Sequence, residues 1–267
     1  MWPAVMLGAL PVALSTGLPL WAAVLTALGN AAGPALAAES LRRHGLHTNL
    51  DRRQDLWRFG LGAGAATLVS ATNGTCWLVL SGALPWTLAP AAWASWWLGD
   101  LMGVIVVGVP LLTASRATLR RAFGDWRWVP GLLLAGGSVA GAWFSFRGQP
   151  GVVSPLLFLP YLLLGWLALR SGVFAASATV LLLAVMSVVA TLTSHGPFAG
   201  ADAPAALAML AGYIATLSAL PMLVTALVGD LSATEDRWQL ALAASNLGVG
   251  DWDLRRGMLD FSPRWLD

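Results

Sequence analysis

Asp100 sits well inside an apolar run, in the stretch Trp93-Ala-Ser-Trp96-Trp97-Leu-Gly99-Asp100-Leu-Met-Gly103. A carboxylate at the centre of a bilayer costs about 2.5–3.5 kcal/mol on insertion scales and carries function by default. Trp93, Trp96, Asp100, Gly103, Val107 and Pro110 recur three and four residues apart. On a helix they form one stripe, expected to face a bundle interior. Gly99 and Gly103, spaced G-x3-G, are expected to let a neighbouring helix approach closely. Two readings follow. In one, Asp100 is a polar point in an aromatic-lined cavity that senses a ligand or a proton. In the other it is a structural carboxylate held by Ser, Thr, Asn or a Trp N–H of a neighbouring helix. Asn30 and Asn73 are the candidate partners, and either can serve simply to join helices.

Other chemistry is sparse. His44, His47 and Asp51 have i, i+3, i+7 spacing and on a helix would share a face able to hold a metal. Gly45, Thr48 and Asn49 instead mark the stretch as a loop, so no metal site is expected. His195 precedes Gly196-Pro197-Phe198 in an expected outer loop, where it would either sense external pH or a ligand or simply form a turn. Gly60, Gly62 and Gly64 open an apolar segment, where close helix packing explains them better than phosphate binding. There is no G-x-x-x-x-G-K-S/T, G-x-S-x-G or H-E-x-x-H pattern. Cys76 is the only cysteine, which excludes an intrachain disulfide. No catalytic residue and no cofactor is expected.

The elements that position Asp100 are membrane helices. The chain is 57% hydrophobic and 10% charged, against about 25% charged in an ordinary soluble domain. Its mean hydropathy is +0.71. Eight apolar segments stand out, at roughly 3–17, 19–39, 57–82, 92–114, 129–146, 155–170, 172–193 and 205–229; the first, fifth and sixth are short for a span of about 20 residues. All fifteen basic side chains are arginine. Arg42, Arg43, Arg52, Arg53 and Arg58 lie between segments two and three, Arg116, Arg120, Arg121 and Arg127 between four and five, and Arg170 between six and seven. The connections 83–91 and 194–204 have no basic residue, and 147–154 has Arg147 alone. Basic residues therefore alternate from loop to loop, which puts the arginine loops and both ends of the chain in the cytoplasm. Confined to short loops, they orient the chain in the lipid bilayer, its expected partner, and do not indicate nucleic-acid binding. Of the fifteen tryptophans, Trp21, Trp57, Trp86, Trp93, Trp126 and Trp128 fall near segment ends, where most are expected to form an interfacial belt.

Beyond residue 229 the chain turns amphipathic. Ser232-x-x-Glu235 has the form of a capping box, followed by Trp238, Ala241, Leu242 and Ser245 at helical spacing. The alternative is that the last span continues as one rod into the cytoplasm. Val249–Leu254, Arg255-Arg256-Gly257 and Met258–Ser262 read as strand, turn, strand. So few residues cannot bury a core of their own, and the chain is expected to end inside a domain.

Several stretches match a known family. Trp96-Trp97-Leu98-Gly99-Asp100-Leu101-Met102-Gly103, followed by Pro110-Leu111-Leu112, resembles the signature of the membrane-associated sensor domain, first MASE type, of bacterial signalling proteins. Trp2-Pro3, Leu7-Gly8, Gly29-Asn30, Leu159-Pro160 through Trp166, Arg170 and Gly172, and Gly196-Pro197-Phe198-Ala199 agree with it. The resemblance spans about residues 1–230. A second, Glu235-Asp236-Arg237-Trp238 through Gly250-Asp251-Trp252-Asp253-Leu254 and Phe261-Ser262-Pro263-Arg264-Trp265, is similar to the opening of a PAS domain. It stops before the ligand pocket of such a domain, so haem or flavin binding does not carry over. The family usually begins with further hydrophobic helices upstream of the Trp-Pro position.

The expectation is an all-α integral membrane helical bundle of about eight transmembrane segments over 1–230, a linker helix over 231–246, and the first strands of a truncated α/β PAS domain over 247–267. The resemblance implies a sensory input module in the bacterial inner membrane, placed before a diguanylate cyclase, phosphodiesterase or histidine kinase. Its sensing candidates are Asp100, Trp96, Trp97, Gly99, Gly103, Asn30 and Arg170. Its transmitting candidates are Trp238, Asp251, Trp252 and Asp253. An unknown small molecule or protein would supply the signal, and the linker and output domains imply a homodimer. The rival readings are a transporter or channel, which short and broken helices would suit, and a passive anchor that localises and dimerises its output domain.

Overall fold

The computed structural model describes residues 2–15, 17–123, 128–245, 250–253 and 258–261. Its helices are α1 (Trp2–Ser15), α2 (Leu20–Arg43), α3 (Arg53–Leu80), α4 (Ala89–Thr113), α5 (Arg116–Phe123), α6 (Trp128–Phe146), α7 (Leu159–Leu192) and α8 (Ala203–Ser245); strands β1 (Gly250–Asp253) and β2 (Met258–Phe261) follow. The segments are rich in Ala and Leu, the strongest helix formers. Pro90 and Pro160 enter at the first turn of α4 and α7, where no N–H is needed. Pro34, Pro110 and Pro221 lie inside helices, which membrane bundles tolerate.

Five helical stretches of the described residues are long and apolar enough to cross a membrane: Leu20–Arg43, Trp86–Thr113, Trp128–Phe146, Pro155–Leu192 and Ala203–Ala241. The expected count of eight is thus not reproduced. α1 has only 14 residues. α3 has the length but carries Ser70, Thr72, Asn73, Gly74 and Thr75 in its second half, which dilutes its hydropathy. Segments six and seven fall within α7, which is broken at Gly172 (φ 82°, ψ 176°).

That break reverses the chain. Leu159 packs where a side chain at Gly141 would sit, and Ser171 does so at Gly131, so the first half of α7 runs antiparallel to α6. Past the far end of α7, Gly196 lies against Phe146 at the end of α6, and the Gly151 N–H donates to the Gly196 carbonyl at 3.1 Å. The second half has therefore returned to the level from which the first departed. Gly172 occupies a backbone region essentially reserved for glycine.

α1, α2, α3 and α4 pack in chain order. α4 then meets α7 and α8, and α6 packs on α7. The largest buried cluster lies among α4, α6, α7 and α8, around Phe146, Leu164, Leu183, Tyr213 and Leu217. The opposite pattern lines the outside: Leu7, Leu111, Leu133 and Leu162 are each 70–73% exposed. So broad an apolar surface belongs to a protein whose solvent is lipid. Hydroxyls inside the helices are turned back on their own backbone, as lipid requires: Thr67 donates to the Ala63 carbonyl at 2.9 Å, Thr113 to Val109 at 2.8 Å and Ser218 to Ile214 at 2.8 Å.

The arginine-bearing connections share one end of the bundle. Asp51, Arg120, Arg170, Gly172 and Gly229 line a single basin there, while Arg147 lies at the opposite end over the Trp143 ring, 4.9 Å from its centroid. α8 runs unbroken for 43 residues. Ser232 therefore lies in mid-helix and does not cap a new one; the continuous-rod alternative holds. β1 and β2 form an antiparallel pair with Asp251 opposite Asp260 and Trp252 opposite Leu259.

Candidate functional site

The Asp100 region is a polar joint between three helices. The Ser70 hydroxyl, on α3, lies 2.7 Å from Asn30 Oδ1 on α2 and 2.9 Å from Asp100 Oδ2 on α4. One hydroxyl carries one hydrogen and so donates to one of these acceptors at a time. The second contact needs a hydrogen from elsewhere: the Asn30 amide presenting its Nδ2, or a hydrogen on the carboxyl group. The three side chains share hydrogens as a unit, and the hydrogen count of one member fixes the orientation of the others.

Tryptophans surround the joint. Trp96 lies one turn before Asp100 on α4. Its ring occupies the space a side chain at Gly74 would fill. The Trp93 Nε1–H donates to Thr72 Oγ1 at 3.0 Å and the Trp97 Nε1–H to the Gly64 carbonyl at 3.4 Å. The two rings stack with centroids 5.9 Å apart. α4 is thus tied to α3 by indole hydrogen bonds as well as by Asp100.

α2 reaches α3 through small residues. A side chain at Gly33 would meet the Ala66 carbonyl oxygen at 2.6 Å, and one at Gly29 would overlap the Asn73 side chain. Asn73 does not join Asp100. Its Nδ2 donates to the Leu25 carbonyl at 3.0 Å, and its Oδ1 accepts the Trp77 indole N–H at 3.0 Å. Of the two candidate partners, Asn30 is in the joint and Asn73 fastens α2 to α3 alone.

The stripe on α4 is divided. Trp96 and Asp100 turn toward α3. Gly103 and Val107 are exposed, and Pro110 is buried. Gly99 and Gly103 have no atom within 4 Å of where a side chain would begin, so the expected close helix approach at this pair is corrected. They open instead on an apolar cleft of about 360 Å³ between α4, α7 and α8, with Met102, Leu181, Val185 and Ile214 among its walls. The reason is direction: one turn of α4 cannot face both α3 and α7. Of the three early glycines on α3, only Gly62 meets a neighbour, the Leu41 side chain, while Gly60 and Gly64 face open space.

Arg170 is not near Asp100; it lies at the arginine-bearing end, on the basin. There the foot of α3 is built on Asp55, 1% exposed in its first turn. Its Oδ1 accepts the His47 backbone N–H at 3.4 Å, its Oδ2 is 3.5 Å from His47 Nδ1, and Arg58 approaches to 3.6 Å. His47 therefore faces Asp55 and does not share a face with His44 and Asp51. Arg53 Nε is 2.6 Å from Asp230 Oδ2, and Gly229 packs so closely on the Asp51 backbone that a side chain there would overlap it. Both contacts hold α8 where it leaves the bundle. On its extension Leu231 is 71% and Trp238 65% exposed. Asp251, Trp252 and Asp253 lie in β1; their side chains lie outside the described residues.

Sequence reasoning missed Ser70, Gly33 and Asp55. Gly29-x3-Gly33 carried the same small-residue signal as Gly99-x3-Gly103 and could have been found. Ser70 could not, because its type resembles the other helix hydroxyls, which bond to their own backbone.

The MASE1 family model matches residues 1–231. Comparison with curated proteins and with solved structures gives no match.

Proposed function

The chain belongs to the MASE1 family of membrane-associated sensor domains, and from that membership we propose that it is the input module of a bacterial signalling protein, with the Ser70–Asn30–Asp100 joint as its sensing element. The observation that carries this reading is the joint itself: three helices meet at one hydroxyl that lies within hydrogen-bond distance of two side chains and donates to one of them at a time. A change of hydrogen position or of neighbouring occupancy shifts the balance between two packings, which is what a two-state sensor requires. Trp96, Trp97, Gly99 and Gly103 then set the shape of the joint and of the adjoining cleft.

The output route is α8. One helix runs from the cleft at Leu210 and Ile214 to the exposed extension beyond Asp230. Leu231 and Trp238 are one heptad apart and both exposed, the pattern of a helix awaiting a partner; this supports a homodimer along the extension. The β1–β2 pair, with the PAS resemblance, supports a cytoplasmic PAS domain there, ahead of a diguanylate cyclase, phosphodiesterase or histidine kinase. The clustering of arginine connections at one end supports an inner-membrane orientation with that end and the α8 extension in the cytoplasm; a cytoplasmic N-terminus needs α1 to cross as well.

The test is Asp100→Asn in the protein that carries this domain, with output read as cyclic dinucleotide level or phosphotransfer. The expected result is normal membrane insertion with output fixed in one state. Stimulus-dependent output like that of the parent would remove Asp100 from sensing.

A further inference from the structure

The basin at the arginine-bearing end has about 850 Å³ and walls from four parts of the chain: the α2–α3 loop, the α4–α5 turn, the Gly172 reversal and α8 at Thr225–Gly229. Of the eight arginines with described side chains in the connections at this end, four are committed, and of the other four Arg52 and Arg116 do not line the basin. Arg42 and Arg43 pair with Glu39 at 2.6 and 2.8 Å, Arg53 pairs with Asp230 at 2.6 Å, and Arg58 faces Asp55 at 3.6 Å. Arg120 and Arg170, which line the basin, have no ion pair or hydrogen bond among the described residues. Two further donors on its walls, the Ser171 hydroxyl and the Asn49 amide, are likewise uncommitted among the described residues. The acidic group on the walls is Asp51, one carboxylate against two guanidiniums.

We infer that this basin binds a phosphate-bearing anion through Arg120, Arg170, Ser171 and Asn49. Uncommitted guanidinium forks in a concave polar site match the oxygens of a phosphate group. The same chemistry comes from a phospholipid headgroup or from a soluble phosphate, and one feature favours the lipid. Arg170 also closes an apolar groove of about 250 Å³ formed by Pro130, Leu133, Leu134 and Trp166. Leu133 and Trp166 are 71% and 59% exposed, so that groove opens on the lipid-facing surface. Arg170 therefore stands where a headgroup pocket meets an acyl-chain groove, and basic pockets between membrane helices at the cytoplasmic side recognise anionic headgroups.

Binding itself goes beyond the sensory reading. Only its consequence rests on that reading: an occupant against Thr225–Gly229 would touch α8 beside the Arg53–Asp230 pair and bias the exit of the output helix.

The experiment uses the 267-residue chain in detergent micelles. Native mass spectrometry counts retained phosphatidylglycerol against phosphatidylcholine, and thermal melts report stabilisation by inorganic phosphate. Arg120→Gln/Arg170→Gln is compared with Arg52→Gln/Arg116→Gln, which removes equal charge at the same end from residues that do not line the basin. The expected result is about tenfold preference for phosphatidylglycerol in the parent, lost in the basin variant and kept in the other. Arg120→Lys/Arg170→Lys, which keeps the charge, is expected to hold the preference in part and covers the case in which the glutamine pair does not fold. Stabilisation by inorganic phosphate through the same two arginines, with no lipid preference, would keep the phosphate site and overturn the lipid as its source. Equal effects of the two glutamine pairs, or no effect of either, would overturn the site. Because binding is read on this chain without an output domain, none of these results depends on whether Asp100 senses anything.

Discussion

The polar joint makes its sharpest prediction at Ser70. Ser70→Ala removes the hydroxyl that joins Asn30 to Asp100 and leaves both side chains without that partner. Leaving a buried polar group unsatisfied costs about 1–3 kcal/mol in soluble proteins. Between membrane helices the measured coupling is smaller, about 0.6 kcal/mol on average and up to about 1.7 kcal/mol. Asp100 is only partly buried, which favours the lower figures. The Ser70–Asn30 contact is lost with Ser70→Ala in either background and cancels in a cycle with Asp100, so the expected coupling between Ser70 and Asp100 is that of one average contact, about 0.6 kcal/mol. The assay is reversible unfolding in mixed micelles, followed by the fluorescence of the fifteen tryptophans, among them Trp96, which packs on Gly74 one turn from Ser70. The cycle comprises Ser70→Ala, Asp100→Leu and the double variant, since leucine makes no replacement hydrogen bond. Asp100→Asn serves as the rescue: its amide Nδ2 donates to Ser70, whose own hydrogen then goes to Asn30, and stability close to the parent is expected. Additivity within about 0.3 kcal/mol, the usual limit for independent sites, would refute the argument that the three side chains act as a unit.

Gly33→Val is expected to part α2 from α3, because its side chain would start 2.6 Å from the Ala66 carbonyl oxygen; overpacking costs roughly 1–3 kcal/mol, and loss of a crosslink between cysteines placed on α2 and α3 would reveal the separation. Gly172→Ala puts a side chain at φ 82°, ψ 176°, a conformation that costs of order 1–3 kcal/mol outside glycine; a lower melting temperature with unchanged helix content by circular dichroism is the expected outcome. Arg53→Gln removes an exposed pair worth about 0–1 kcal/mol, so stability should barely change while output shifts, and the exchange Arg53→Asp/Asp230→Arg should restore the output.

The helices of α2, α4, α6 and α8 were legible because apolar runs of span length leave the chain few alternatives in lipid. The reversal at Gly172 was legible for a related reason: Arg170 interrupts the hydropathy there, and Gly172 is the residue that lets the chain turn. The number of crossing helices was not, since α1 is short and α3 is diluted by the residues that fasten it to its neighbours. The same tension governs the site. Asp100 announces itself, because an ionisable group in an apolar run is costly. Its partner Ser70 does not, because a serine that bonds its own backbone and one that bridges helices are the same letter. The choice between Gly29-x3-Gly33 and Gly99-x3-Gly103 as the close contact depended on which faces of α2 and α4 meet α3, information that periodicity within one helix does not hold.

On the proposed reading, α3 is the part that connects sensing to output. Ser70 lies in its middle and Arg53 at its foot, 17 positions apart, or about 26 Å along a helix rising 1.5 Å per residue. Above, α3 is held to α2 and α4 by the joint; below, it holds α8 through Asp230. Small-residue packing against α2 leaves α3 little room to bend alone, so a rearrangement at Ser70 is relieved by moving the helix as a body. A pivot of about 3° over that length displaces its foot by roughly 1.4 Å, of the size by which interface helices shift in known switches. The Arg53–Asp230 contact of 2.6 Å would not survive such a displacement without α8 following or the pair breaking. Either outcome changes what holds the output helix at its exit. If Arg53→Gln and Asp100→Asn each altered output and the double variant altered it by the sum of the two, the joint and the foot of α3 would act independently, and transmission through α3 would be refuted.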